Sequence, residues 1–296
     1  MGTTDTLRKR KPLPRLRNIS EPLDISFIKK LIWLYFLLLL FEGALRKWFL
    51  PGLSNGLLII RDPIVIWIYY LAFNQGIFPL QNKYLKAILN WCIICALISL
   101  VVQAHPLTIA YGIRTSLLHF PLIFVLGRVL NWQDVINFGK GFLIFALPMT
   151  WVVAQQFQAD RLDIINVASG GTGHQMMTSG DKVRASGTFS FISGIVFYYC
   201  FTIAFIIYGF LEKRTFPKLL LYVGTGVTFL AMVTAGSRSV IAESLQVFAC
   251  LGFLAYYRPA EFGKITISTL FLLAIALLLY SQIDLFQDGL IFLSMR

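Results

Sequence analysis

LLLYVGTGVTFLAMVTA (Leu219–Ala235), GSRS (Gly236–Ser239) and VIAESLQVFACLGFLAYY (Val240–Tyr257) follow one another directly, so a guanidinium, Arg238, sits at the junction of two long apolar runs. Runs of this length read as membrane helices. A charge costs about 2.5–3.5 kcal/mol at the centre of such a helix and less near the interface. Arg238 therefore either snorkels to the interface or is kept for an ion, a substrate or a structural partner.

The same pattern recurs along all 296 residues, of which 57% are hydrophobic. In lipid every backbone polar group must be satisfied within its own segment, and these runs lack the alternation of barrel strands, so the expected fold is an all-α polytopic membrane bundle. Nine spans are read, at about Lys30–Trp48, Pro63–Leu80, Leu85–Gln103, Thr115–Leu130, Val135–Phe157, Phe189–Leu211, Leu219–Ala235, Val240–Tyr257 and Ile265–Tyr280. Residues 1–29 form a basic, proline-broken tail, with Arg8, Lys9, Arg10, Lys11, Arg15 and Arg17 able to meet anionic lipid. No small-residue cleavage site follows the first apolar run, so that span is expected to be retained.

The net charge of +12 is spread between the spans rather than gathered on one face, which fits membrane topology and argues against nucleic acid. With the tail cytoplasmic, Lys83, Lys86, Arg128, Lys213, Arg214, Lys218, Arg258 and Lys264 fall in cytoplasmic turns. Arg46, Lys47, Arg61, Arg114, Arg161, Lys182, Arg184 and Arg238 then lie on or near the outer face. Several arginines at one interface suit a lipid diphosphate, because the planar fork grips phosphate and stabilises a departing diphosphate without metal. The candidate diphosphate ligands are Arg238, Arg184, Arg61 and Arg114.

Competing structural roles are legible too. Arg46 stands four residues after Glu42 and can pair with it along one helix face, and Lys47 beside Trp48 reads as an interfacial anchor. Asp62-Pro63 reads as the N-cap and first position of the second span, leaving Pro51–Arg61 as a short outer hairpin that turns at Gly52, Ser54, Asn55 and Gly56. Arg61 is then beside a helix N-terminus, where anions are favoured. Glu243, about one turn into the eighth span, is a candidate partner for Arg238 or a general base.

The only long internal hydrophilic loop, at about 158–188, holds Gly170-Gly171-Thr172-Gly173-His174 and ends in Arg184-Ala185-Ser186-Gly187-Thr188-Phe189. Its glycines allow either close approach to a ligand or simple surface mobility. The histidines, His105, His119 and His174, are scattered without metal-ligand spacing, so no metal and no cofactor are expected. Cys92 and Cys95 have redox-pair spacing in wholly apolar surroundings and, with Cys200 and Cys250, read as packing residues. Residues 281–296 read as the opening of an extracytoplasmic segment, so the chain is expected to be C-terminally truncated.

Phe41-Glu42-Gly43-Ala44-Leu45-Arg46-Lys47-Trp48, Leu50-Pro51-Gly52-Leu53, Ile60-Arg61-Asp62-Pro63, the Arg184–Phe189 motif and Gly236-Ser237-Arg238-Ser239 together resemble the bacterial O-antigen ligase and polymerase family. The resemblance implies a plasma-membrane protein with a cytoplasmic N-terminus. It also implies inverting, metal-independent transfer of a glycan from a polyprenyl diphosphate to a sugar hydroxyl at the outer face. Arg238 matches the family arginine by motif, while the family's catalytic histidine, carried on a later loop, has no counterpart here. The rival expectation is a multi-span transporter or flippase for a lipid-linked saccharide or another anion, with the same arginines lining its route.

Overall fold

The computed structural model describes residues 23–257 except 103–104, 171–172, 174–181 and 213–214. The basic tail before residue 23, Thr172, His174, Asp181, Lys213, Arg214, the ninth expected span and the 281–296 segment lie outside the described residues. Within them the secondary structure is helical, without sheets. Five helical runs are long and apolar enough to cross a membrane: 51–74, 83–101, 106–129, 132–158 and 192–211.

Ten α-helices follow in order: α1 Leu23–Ala44, the short α2 Ser54–Leu57, α3 Asp62–Asn74, α4 Lys83–Val101, α5 Pro106–Arg114, α6 Leu122–Val129, α7 Trp132–Gln158, α8 Ile192–Leu211, α9 Lys218–Thr234 and α10 Arg238–Tyr257. α9 is apolar but has 17 residues, and α1, at 22 residues, carries Asp24, Lys29, Lys30 and Glu42. Length and apolarity among the described residues therefore do not confirm the expected nine spans. Two π-helical turns, Leu45–Phe49 and Thr115–His119, extend α1 and join α5 to α6.

Helix starts follow local chemistry. Asn131 and Asp134 form a reciprocal capping box on α7, Asn82 caps α4 and His105 caps α5 through Nδ1. Three expectations change. Residues 51–61 are not an open hairpin but a run of helical turns, because Leu53, Leu58, Ile59 and Ile60 each donate to a carbonyl three or four residues back. Asp62 is not the N-cap of α3; Arg61 holds that position without a side-chain cap, and the Asp62 carboxylate is used elsewhere. The helical run through α5 and α6 also begins at Pro106 rather than Thr115.

α1 is shared by two packing centres. Its row Ile28, Ile32, Phe36 and Leu40 drifts about 40° per four-residue step, so Ile28 and Ile32 meet Val65, Ile68, Leu122 and Val125 of α3 and α6. Phe36 and Leu40 instead meet Ala146, Met149, Val153 and Tyr199 of α7 and α8. Lipid removes the hydrophobic drive between helices, so close fit must supply the cohesion. Glycines supply it: a Cβ on Gly224 would lie 2.7 Å from Leu143, one on Gly139 2.5 Å from Phe205, and one on Gly209 2.5 Å from Leu221. α4 differs, with Cys92 its one buried residue and Trp91 and Val101 68% and 82% exposed. Such a surface is suited to lipid rather than water.

The chain direction gathers α1's C-terminal end, the start of α2, residues 159–170 and 182–191, and the α9–α10 turn at one end of the bundle, here the Arg238 end. Lys30, Lys83, Lys86, Arg128 and Lys218 gather at the other. What ties the Arg238 end together is Gly43: a Cβ there would fall 2.3 Å from the Phe189 carbonyl carbon and 2.3 Å from the Ser190 nitrogen. Gly43→Ala is expected to lower stability by about 2 kcal/mol or more, read by SDS-titrated unfolding in mixed micelles. Gly52→Ala, with nothing within 4 Å of the added carbon, is expected to stay near wild type.

Candidate functional site: a charged network at the Arg238 end

The π-turn after α1 carries Arg46 and Lys47, 7% and 3% exposed, directly after Glu42 at 5%. Buried cations demand partners. Arg46 donates from Nε to the Ser54 carbonyl (3.0 Å) and Oγ (3.1 Å), and from Nη1 to Ser190 Oγ (2.9 Å). It also approaches Glu42 at 3.4 Å, the i,i+4 pairing read from the sequence. Lys47 is not an interfacial anchor: its Nζ donates to Ser186 Oγ (2.5 Å) and the Gly187 carbonyl (3.1 Å), so it holds the 184–190 segment against α1.

That segment is fixed on its other side by α7. Gln156 accepts from Gly187 N–H at 2.9 Å and donates to the Gly187 carbonyl at 3.3 Å, a two-bond clamp on a residue at φ +59°. Asn166 Nδ2 in turn donates to carbonyls at the end of α7, 3.1 Å to Gln156 and 2.8 Å to Asp160. Thr188 Oγ1 donates to the Leu40 carbonyl at 2.6 Å. The Arg184–Phe189 and Phe41–Trp48 motifs, about 140 residues apart, thus interlock.

The four sequence-derived arginines divide into two settings. Arg61 pairs with Glu42 (Nε to Oε2, 2.6 Å) and lies over the Tyr35 ring at 5.7 Å. Arg114 grips Asp62 through a two-pronged fork, Nε to Oδ2 at 2.5 Å and Nη2 to Oδ1 at 2.6 Å, and also reaches the Leu58 carbonyl at 2.8 Å. Arg184 and Arg238 are set differently. Ala185 N–H donates to the Ala235 carbonyl at 3.2 Å, which seats Arg184 beside the turn made by Gly236 at φ +62°. Arg238 opens α10 exposed, whereas the Arg184 Nε is buried and has no hydrogen-bond partner among the described residues.

Glu243 is half-buried in α10, its carbonyl 4.0 Å from Cys200 Sγ. Among the described residues the carboxylates that hold cations are Glu42, Asp62 and Asp134, not Glu243. Asp160 and Asp163 serve local turns, accepting from Leu162 and Ile165 backbone N–H groups. No group of three or more His, Cys, Asp or Glu side chains gathers as a metal site among the described residues.

Sequence reading missed Tyr35 and His119 as members of this network. His119 Nε2 lies 3.1 Å from Asp62 Oδ1, and its Nδ1 lies 3.2 Å from Tyr35 Oη. The available signal was a titratable ring inside an apolar run, which by itself names no partner. Around α1, Arg46, Lys47, Arg61 and Arg114 face only Glu42 and Asp62 as carboxylates, so the network carries an excess of positive charge.

A double-mutant cycle with Asp62→Asn and Arg114→Gln is expected to give a coupling of about 2 kcal/mol or more, because each single change strands a largely buried partner. The more exposed Lys29–Asp134 pair, at 2.6 Å, should give below about 1 kcal/mol in the same unfolding assay. Comparison with known proteins adds nothing to this geometry: no family model, no curated protein and no solved structure matches the chain.

Proposed function

We propose that the Arg238 end binds the diphosphate of a polyprenyl-linked glycan, and that the protein acts in a bacterial plasma membrane as a glycan polymerase or ligase of the inverting, metal-independent kind. The observation that carries this is the Ala185–Ala235 backbone bond, which brings Arg184, its Nε buried and without a hydrogen-bond partner among the described residues, to the Gly-Ser-Arg turn. A diphosphate there would take guanidinium hydrogen bonds that a water-exposed arginine gains little from. In transfer, the acceptor hydroxyl attacks the sugar carbon as the diphosphate leaves, and the guanidinium groups stabilise the charge growing on the leaving oxygens. Arg61 and Arg114, already paired with carboxylates, supply background positive field rather than direct ligands. The positive-inside rule places the lysine-rich end in the cytoplasm and the Arg238 end outside.

A second reading, a transporter or flippase for a lipid-linked saccharide or another anion, is favoured by one observation. The polar network does not stop at the Arg238 end but continues down α1 from Arg46 through Glu42 and Arg61 to Tyr35. Reconstituted vesicles separate the two, since leaflet exchange of a labelled carrier lipid without glycan transfer belongs to the second.

Arg238→Lys and Arg184→Lys each keep the charge and lose the fork, and each is expected to weaken binding of a polyprenyl diphosphate in detergent about tenfold. Arg128→Lys, at the opposite end, serves as the control. Equal affinity in all three variants would overturn the diphosphate site.

A further inference from the structure

Tyr35, His119 and Asp62 are joined across three separate elements near mid-height of their helices. Tyr35 lies twelve residues into α1, about 18 Å along the axis, and Asp62 and His119 fall midway in sequence through the 51–74 and 106–129 helical runs. Titratable groups at this depth are costly and mark functional sites far more often than decoration. His119 also ends a π-helical turn, in which Phe120 N–H reaches back five residues to the Thr115 carbonyl at 3.3 Å. π-turns concentrate at functional sites because they redirect side chains that a regular helix would turn away.

Hydrogen-bond chemistry fixes the state of the ring. Two guanidinium N–H groups of Arg114 bind Asp62, which is therefore a carboxylate and can only accept. The His119 Nε2 at 3.1 Å must then carry hydrogen and donate to Oδ1. In the neutral ring Nδ1 keeps its lone pair, so the Tyr35 hydroxyl donates to it across 3.2 Å. Every polar atom of the triad is satisfied, and Nδ1 is the one basic lone pair within it that holds no charge.

We propose that this triad is a proton-binding site, with His119 Nδ1 as the acceptor. A proton delivered from water as hydronium bonds to Nδ1, and water is released. Tyr35 keeps its own proton, and its oxygen changes from donor to acceptor at the α1 joint. Asp62 stabilises the imidazolium by accepting from Nε2, as it accepts from the neutral ring. The charged groups acting on His119 are Arg61 and Asp62 at the start of α3 and Arg114 at the end of α5; Tyr35 of α1 bonds the ring itself, Glu42 of α1 acts on Tyr35 and is shared with Arg46 and Arg61, and Tyr69 of α3 bonds the neighbouring Leu118 carbonyl. Asp62 favours the added proton while Arg61 and Arg114 oppose it, and Glu42 is shared between Arg46 and Arg61, so the proton binds against local positive charge and depends on its contact with Asp62. The proton thereby reverses the direction of the one hydrogen bond between α1 and the Thr115–His119 turn, a change that packed helices transmit as a shift between two arrangements.

The site stands apart from Arg184 and Arg238, so its test is independent of diphosphate binding. The chain has three histidines, and His105→Gln with His174→Gln leaves His119 alone. Ring-15N-labelled protein in detergent micelles is titrated between about pH 4 and pH 9 by NMR. The expected result is a neutral ring with hydrogen on Nε2, converting reversibly to imidazolium, with a midpoint that Tyr35→Phe moves by about half a pH unit or more. Should the double variant fail to fold, the same resonance is found in the wild-type chain by subtracting single His→Gln spectra. Hydrogen on Nδ1 in the neutral form, a ring that never titrates over that range, or a midpoint indifferent to Tyr35→Phe would each overturn the proposal.

Discussion

The bare backbone at Gly43 is the constraint on which the Arg238 end depends. Because α1 has no side chain there, the main chain of residues 188–190 can lie directly on the helix, with Thr188 bonded to the Leu40 carbonyl and Ser190 to Arg46. Once that segment is down, Lys47 has acceptors in Ser186 and Gly187, and Ala185 reaches the α9–α10 turn. A close approach of backbones thus determines where the arginines stand. The charges follow from the packing, since a buried lysine without those acceptors would be too costly to keep.

Charge compensation is the second layer. Glu42 serves two arginines and Asp62 serves one arginine and one histidine, so Glu42 links α1 to the start of α3 and Asp62 links α3 to α5 and the Thr115–His119 turn. Burial makes these links directional as well as attractive, because an ion removed from water must find all its hydrogen-bond partners in the protein. The helices of this half of the bundle are thus joined by buried polar contacts as well as by the apolar row that links α1 to α3 and α6.

Much of this was legible in the sequence, and for identifiable reasons. Long apolar runs separated by basic turns specify helices that suit a bilayer, and i,i+4 spacing alone links Glu42 to Arg46. The partners of Lys47 and His119 were not legible, because they lie 139 and 57 residues away and no periodicity reports such distances. Asp62 was misread for a related reason. An aspartate before a proline is an ordinary cap, and only the arrival of Arg114 and His119 from another helix reassigns its carboxylate. Likewise the glycines and polar residues of 51–61 looked like a turn in isolation, while the π-turn and helical runs on either side keep that stretch helical.

α4 stands outside both packing centres, and its position has a mechanical consequence. With 19 residues, about 28 Å at 1.5 Å per residue, α4 is close to the thickness of a bilayer's hydrocarbon core, and almost no protein surface covers it. Its contacts are with α5 and the Thr115–His119 turn, the elements that carry Arg114 and His119. A shift of α4 within the bilayer would therefore be felt first at Arg114 and His119, the two side chains that hold the Asp62 carboxylate.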